Sequence, residues 1–247
     1  MNKSRPTPTF KGFWAFYLIL IALAPLTQAS PTIKIITIDA PPWVSRSSDT
    51  GELHGAFVDV VDELASRTDY AFEITLSPFA RVGRELELGV QDCTILAPLP
   101  PSLTVMGELI LRQPLGVIGH SNLALTSNSD LEGKRISVLR GAALATRLGA
   151  NTNLNMVFDK DYATGLRKLA RGRVDAVAGA IPTLQYIARA AGVEAYLSAP
   201  LVLAYIPLNF QCSKKSNHLD AMEPINQAIK SMRDDGVIND IKLRHGF

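Results

Sequence analysis

The feature that most restricts the fold is a short pattern that occurs twice, beginning at Arg84 and again at Arg167. Both segments read R-x-L-x-x-G-x-x-D, and each continues into an apolar run that ends in proline. The glycine is typical of a helix C-terminus, and the aspartate opens the strand that follows. The pattern predicts two lobes of similar βαβ construction, although short helix–glycine–strand joints also resemble one another by chance.

Strand and helix patterns alternate on both sides of this repeat. Short β-branched or apolar runs predict strands, and apolar residues at i, i+3, i+4 and i+7 predict amphipathic helices. The predicted strands are Ile33–Ile38, Phe72–Leu76, Cys93–Ala97, Arg135–Leu139, Leu154–Phe158 and Val174–Ala178. The predicted helices are Phe57–Leu64, Arg81–Leu88, Ala142–Leu148, Tyr162–Arg171, Thr183–Ala191 and Val237–Leu243. The alternation indicates an α/β fold with parallel sheets.

Two apolar segments outside this alternation, 114–126 and 201–212, predict extended strands that cross between the lobes. The C-terminal tail contains Asp220 and Glu223 at the spacing of a capping box, with Pro224 in the first helical turn. This spacing predicts another helix beginning there.

The first 29 residues have the pattern of a secretory signal peptide. Lys3, Arg5 and Lys11 precede an apolar run of 14 residues, Phe13–Leu26, and small residues lead to a cleavage site after Ala29. An uncleaved membrane anchor is the alternative, but it needs about 20 apolar residues. We therefore expect export to an oxidising compartment, with a mature protein that begins near residue 30.

Composition excludes several classes of protein. With 47% hydrophobic and 19% charged residues, the chain is too apolar for a disordered protein. Removing the three basic residues of 1–29 from 25 leaves 22 against 23 acidic residues, so there is no basic excess for nucleic acid. The four histidines lack the spacing of a metal site, and no cofactor motif is present. We expect no metal, no cofactor and no nucleic acid.

Four segments in this order resemble a known family. They are Pro41-Pro42-Trp43, DLEGKRISVLRGAAL from Asp130, LARGRVDAV from Leu169 and INQAIKSMRDDGVINDI from Ile225. The mature chain resembles a divergent member of the type II periplasmic solute-binding proteins, in the amino-acid-binding (family 3) class of ABC transporters. The resemblance implies two lobes, each a mostly parallel sheet flanked by helices, joined by two crossing strands. Lobe 1 would comprise 30–120 and 205–247, and lobe 2 would comprise 121–204.

The resemblance also implies a ligand cleft between the lobes. Trp43 would present its ring to a planar or cationic group, or would cover the edge of the core instead. The turn Arg140-Gly141-Ala142 would offer backbone N–H groups to an anion, unless it is an ordinary strand–helix turn. Ala97 and Ala180, at two strand ends, are also expected to contact the ligand.

Two positions depart from the family pattern. Thr104 stands where the family has the arginine that binds the ligand carboxylate, and Ala180 stands where it has the aspartate that binds the ammonium group. A zwitterion buried without these charges would be left unpaired. Arg81 and Arg112 are candidates for a replacement positive charge, with a solvated surface arginine as the alternative.

The resemblance places the strands of Cys93 and Cys212 side by side in lobe 1, away from the cleft. A disulfide between them suits an oxidising compartment, and two buried free thiols are the alternative.

We expect a monomeric binding protein that captures a small polar solute and delivers it to an ABC-type permease, without catalytic residues. One alternative is an enzyme resembling the cyclohexadienyl dehydratases, for which Glu108 is the nearest candidate acid. Another is a sensory or accessory subunit of a membrane or periplasmic partner.

Overall fold

β-branched and apolar runs form the strands of one eight-stranded sheet. A computed structural model describes residues 1–4, 30–140 and 154–246. Residues 31–247 form one unit, separate from residues 1–30, and every element named below belongs to it. The strands of the large sheet are β1 (Thr32–Thr37), β4 (Ala71–Leu76), β5 (Cys93–Leu96), β6 (Thr104–His120), β7 (Arg135–Leu139), β8 (Asn155–Asp159), β9 (Ala176–Ala180) and β10 (Leu197–Ser213). A separate hairpin joins β2 (Ser45–Arg46) and β3 (Leu53–His54).

The order of the strands divides the sheet into two lobes. The order is β4-β1-β5-β10-β6-β9-β7-β8. The outer strands are parallel on each side, whereas β10 is antiparallel to both β5 and β6, and β6 is antiparallel to β9. The long strands β6 and β10 therefore run from one parallel half to the other. This confirms the predicted two-lobed α/β fold with two crossing strands.

The described residues include six α-helices. They are α1 (Ala56–Arg67), α2 (Phe79–Leu88), α3 (Tyr162–Ala170), α4 (Ile181–Ala190), α5 (Met222–Asp234) and α6 (Val237–His245). The predicted helix 142–148 lies outside the described residues. The predicted capping box is wrong, because Asp220 lies in a 3₁₀ turn, Leu219–Ala221, and Ala221 precedes α5 without a side-chain cap.

The repeated sequence pattern is a repeated structure. Gly89 and Gly172 follow α2 and α3 with φ values of 72° and 64°, which favour glycine. Asp92 accepts a 2.9 Å hydrogen bond from the N–H of Lys34 in β1, and Asp175 accepts a 2.8 Å bond from the N–H of Arg135 in β7. Position by position, 79–97 of lobe 1 therefore matches 162–180 of lobe 2, and the register of β1 matches that of β7.

A disulfide links the two cysteines. Cys93 and Cys212 are directly opposite one another in the β5–β10 pair, with their Cα atoms 3.9 Å apart. Because Cys93 is the first residue of β5, the bridge lies at the opposite end of that strand from Ala97. The prediction of a disulfide on antiparallel neighbours is confirmed.

Candidate functional site

The C-terminal ends of the parallel strands of both lobes converge on one cavity. Ligands of open α/β sheets bind in this location, because the strand ends leave a crevice there. The cavity, called here the inner chamber, has a volume of about 80 Å³. Its lining residues are Ile38, Ala40, Trp43, Phe79, Leu96, Ala97, Gln113, Leu115, Val138, Leu139, Tyr162, Ala178, Gly179, Ala180, Thr183, Ile206 and Leu208.

Trp43 is positioned by the chain that follows β1. Its backbone N–H donates to the carbonyl of Ala40 (2.9 Å), and its ring packs edge to face against the ring of Phe57, with the ring centroids 5.6 Å apart. Trp43 is 3% exposed and belongs to the lobe 1 core while also lining the inner chamber. Both roles considered from the sequence, core edge and cleft wall, are therefore held by one side chain.

Tyr162 is the corresponding wall of lobe 2. It is the first residue of α3, whose N-cap Asp161 accepts a 2.7 Å hydrogen bond from the N–H of Thr164. Its ring covers Gly179, where an added Cβ would lie 2.3 Å from Tyr162 Cε1. Burial raises the pKa of the Tyr162 phenol, and the N–H of Ala180, which donates to the phenol oxygen, lowers it in part.

The inner chamber is mostly apolar. Among its described lining residues, only Gln113, Tyr162 and Thr183 carry side-chain polar groups other than the indole N–H of Trp43, and none is an acid or a base except the phenol of Tyr162. A fully charged group placed there would lose its hydration without gaining a counter-charge from these side chains.

A second cavity, called here the outer chamber, adjoins the first. It has a volume of about 330 Å³ and shares Ile38, Phe79, Leu139 and Tyr162 with the inner chamber. Its other lining residues are Asp39, Leu76, Ser77, Pro78, Lys160 and Asp161. The charged side chains Asp39, Lys160 and Asp161 therefore line the outer chamber and not the inner chamber.

The charges of the outer chamber are unequally paired. Lys160 Nζ lies 3.8 Å from Asp161 Oδ2. Asp39, in contrast, accepts no hydrogen bond and forms no ion pair within the described residues. Partial loss of hydration against the surrounding protein raises the pKa of Asp39, although the charges of Arg46 and His54 act to lower it.

The residues predicted to contact a ligand occupy different places. Trp43, Ala97 and Ala180 line the inner chamber. Arg81 is exposed on α2 and lines neither chamber. The helix begins at Phe79, and it is Phe79 that lines both chambers.

The predicted anion-binding turn follows β7. The backbone N–H of Arg140 donates to the carbonyl of Asp159 (3.0 Å), and the Arg140 side chain is exposed. Gly141 and Ala142 lie outside the described residues. Arg112, the other candidate cation, is exposed on β6.

Two residues weighed from the sequence are engaged elsewhere. Thr104 is buried and donates to Gln211 Oε1 (3.1 Å). Glu108 accepts from Arg233 (2.8 Å) and lies 3.4 Å from Lys230, and the hydrogen bond from Arg233 is the main reason that its pKa is lowered.

Sequence reasoning missed Phe79, Gln113 and Tyr162 as lining residues. Phe79 and Tyr162 are equivalent positions of the internal repeat, each the first residue of its helix. Extending the repeat upstream of Arg84 and Arg167 would have identified this aromatic pair. Nothing in the sequence marks Gln113, because it lies in the middle of a long strand.

Two kinds of site or segment are absent from the part of the chain that the structure describes. No group of three or more potential metal-binding side chains lies together there. None of the helices described has the length and apolar character needed to cross a membrane.

Comparisons with known proteins agree with this architecture. No protein-family profile matches the chain. A Vibrio harveyi protein named as an amino-acid ABC transporter-binding protein, PatH, is 28% identical over 210 residues, which is 78% of this chain and 80% of that protein. A Bacillus subtilis protein named as an amino-acid-binding protein, YxeM, is 24% identical and covers 80% of this chain and 77% of its own length.

Solved structures share the fold at lower identity. A mutant of the arginine-binding protein of T. maritima is 18% identical with a TM-score of 0.75, covering 87% of this chain and 94% of that one. A histidine kinase sensor domain similar to periplasmic binding proteins is 17% identical with a TM-score of 0.78, covering 88% and 96%.

The two-lobed topology, the interlobe cavity and these relatives agree with one another. The chain has the two-lobed fold of these solved structures and is similar to curated proteins named as amino-acid ABC transporter-binding and amino-acid-binding proteins.

Proposed function

We propose that this protein is exported to the periplasm, encloses a small solute between its lobes and delivers it to an ABC-type permease. The observation that carries the proposal is the inner chamber, which both lobes and both crossing strands line. A ligand that contacts both lobes only when they are closed shifts the population toward the closed state, which a permease can recognise. One curated relative is named as an amino-acid ABC transporter-binding protein and the other as an amino-acid-binding protein, which supports this proposal.

The proposal includes the lobe limits expected from the sequence, 30–120 with 205–247 and 121–204, a cleaved segment 1–29 and a monomeric protein. It also includes a ligand held without the arginine and aspartate clamp of the family. Thr104 is bonded to Gln211 instead of lining a chamber, and Ala180 contributes a methyl group. We infer that Trp43, Ala97 and Ala180 contact the solute, and the ligand contact expected of the turn Arg140-Gly141-Ala142 stays a prediction.

Binding is favoured over catalysis. A dehydratase needs a carboxylic acid or base positioned at the substrate. Glu108 is held by Arg233 and Lys230, and no described carboxylate lines the inner chamber.

The first experiment identifies what the exported protein carries. Native mass spectrometry of freshly purified protein is expected to show a bound solute. A protein mass that corresponds to a chain beginning near residue 30 would support signal cleavage. Thermal-shift assays with amino acids, organic acids and amines should show saturable stabilisation, about 2.7 kcal/mol at a hundredfold excess over Kd.

A matched pair of variants tests whether that solute occupies the inner chamber. Ala180→Leu places a larger side chain in the chamber and should abolish the shift, whereas Ala190→Leu, on the exposed end of α4, should retain it. Equal shifts in both variants would contradict binding between the lobes.

The sensory or accessory alternative is favoured by the sensor domain of the same fold. It predicts no shift with any solute and recovery of a protein partner by cross-linking. Turnover of a cyclohexadienyl acid would instead support the enzyme.

A further inference from the structure

The two chambers share four lining residues, called here the gate, which are related by the internal repeat. Ile38, Phe79, Leu139 and Tyr162 line both chambers, two from each lobe. Ile38 and Leu139 are equivalent by the register of β1 and β7, and Phe79 and Tyr162 are equivalent first residues of α2 and α3. The gate is therefore built from the same two positions of each lobe, and a solute that occupies both chambers lies against these four side chains.

The chambers differ in chemistry on either side of the gate. The inner chamber offers apolar surface and few polar groups, so an uncharged, apolar part of a ligand is stabilised there by the loss of water. The outer chamber carries Asp39, Asp161 and Lys160. Lys160 and Asp161 lie close together, whereas Asp39 is a charged lining residue of this chamber with no ion pair within the described residues, so its carboxylate can bind a cation.

The groups around Asp39 leave its carboxylate available. Arg46 donates to the carbonyl of Gly51 (2.6 Å), and the ring of His54 bonds to Ser45 Oγ (3.0 Å). Neither forms an ion pair with Asp39 within the described residues. An ammonium group at Asp39 would gain a charge-assisted hydrogen bond. A carboxylate on the carbon that carries the ammonium group would lie near Asp39, in a chamber whose lining cation, Lys160, already has its Nζ 3.8 Å from Asp161 Oδ2.

We infer that the ligand is a primary amine with a short apolar chain, whose ammonium group binds Asp39 in the outer chamber and whose chain passes the gate into the inner chamber. The inference rests on the proposed function, because it requires a solute between the lobes. The inner volume of about 80 Å³ is smaller than the roughly 150 Å³ cavity that accommodates benzene in other proteins, which suits a branched chain of a few carbons.

The test compares 3-methylbutylamine with L-leucine, which differ by one carboxyl group. Titration calorimetry at pH 7 should show the amine binding at least tenfold more tightly than the amino acid. Asp39→Asn should weaken amine binding about tenfold, since a charge-assisted bond is lost. Asp49→Asn, at the exposed turn of the β2–β3 hairpin, is the matched control and should bind normally.

Trp43 reports whether the chain enters the inner chamber. The sequence has two tryptophans, Trp14 and Trp43, and the cleaved protein that begins near residue 30 retains only Trp43. The amine should change Trp43 fluorescence in the cleaved protein, with the same Kd as in calorimetry. Thermal denaturation of Asp39→Asn confirms that it is folded.

The outcomes separate this inference from the proposed function. Leucine binding as tightly as the amine, unchanged amine binding in Asp39→Asn, or amine binding without a fluorescence change would overturn the inference. If the amine fails but another solute stabilises the protein through the inner chamber, the inference is wrong and the proposed function stands. If no solute binds, both are wrong.

Discussion

The two lobes are built on the same joint but are reinforced differently. In each lobe, an aspartate after a helix-terminating glycine bonds to the first strand, and the strand it opens pairs with a crossing strand. In lobe 1 the residue after Asp92 is Cys93, bridged to Cys212, and the equivalent pair in lobe 2 is Ala176 opposite Gly119. Strand pairing alone therefore suffices to position this joint, and the covalent link adds stability.

The cores differ in the same direction. Among the described residues, the main core of lobe 1 is one cluster of 24 buried side chains, whereas lobe 2 has two clusters of seven. Burial of apolar surface is the dominant stabilising term in folding, so among the described residues lobe 1 has the larger share of it. We expect this large cluster and the disulfide together to stabilise lobe 1.

Removing the disulfide should produce the largest effect. Cys93→Ala with Cys212→Ala makes the lobe 1 joint similar to its lobe 2 equivalent. The bridge closes 119 residues of sequence, and its loss should lower the free energy of unfolding by about 4–5 kcal/mol on the loop-entropy model. Urea denaturation with and without reductant measures this.

Reductant provides the control for that experiment. It should destabilise the natural protein by a similar amount and leave the double variant unchanged. A loss below about 1 kcal/mol would contradict the view that the bridge stabilises lobe 1.

The sequence was sufficient to predict the parts of the fold that depend on local chemistry. Gly89 and Gly172 mark helix ends because few other residues adopt positive φ at low cost. Asp92 and Asp175 mark strand starts because a carboxylate can accept a backbone N–H there. The resemblance to the family then placed Cys93 beside Cys212, which the structure confirms.

The site was predicted only in part, because it depends on packing between distant segments. Arg81 was expected near the ligand, but the helical period turns it to solvent while Val82 and Leu86 are buried. The first crossing strand begins at Thr104 instead of residue 114, since pairing with β10 extends it across several irregular register positions. Glu223 and Asp220 have capping-box spacing, yet a 3₁₀ turn precedes the helix.

A glycine substitution should give the second largest effect and sharpen the comparison at the site. Gly179 of lobe 2 is equivalent to Leu96 of lobe 1, and it is small because the ring of Tyr162 covers it. In Gly179→Ala the new methyl group would lie 2.3 Å from Tyr162 Cε1, so the ring must move. Overpacking of this kind costs about 1–3 kcal/mol in unfolding free energy.

Gly83→Ala is the matched control. Gly83 lies inside α2, and its added Cβ would meet only Leu103 Cδ2, at 3.9 Å. Gly83→Ala should therefore raise the free energy of unfolding by about 0.5–1 kcal/mol, because alanine favours the helix over glycine. Chemical denaturation of both variants measures the contrast. Equal stability of Gly179→Ala and the natural protein would show that Tyr162 is not held by close packing on Gly179.

The smallest expected effect concerns the aspartates of the two joints. Asp175 accepts hydrogen bonds from the N–H and the guanidinium of Arg135, whereas Asp92 accepts from the N–H of Lys34 and from Ser216 Oγ (2.7 Å). The hydrogen bond from Arg135 is the main reason that the pKa of Asp175 is lowered. Asp175→Asn should cost about 1–2 kcal/mol at pH 7, allowing for the partial exposure of the pair.

The pH dependence of that loss separates the joints. Because the pKa of Asp175 is lower in the folded than in the unfolded chain, its stabilisation is fully present above the unfolded value of about 4 and is lost as pH falls through the folded value. The difference between the natural protein and Asp175→Asn, measured by urea denaturation, should therefore be constant from pH 7 to 5 and shrink toward pH 3. Salt at 0.5 M should reduce it as well, because the guanidinium pair is half exposed, but should leave the Asp92→Asn difference nearly unchanged, because Asp92 has no ion pair within the described residues. A difference for Asp175→Asn that is independent of salt would mean that the ion pair with Arg135 adds nothing measurable to the lobe 2 joint.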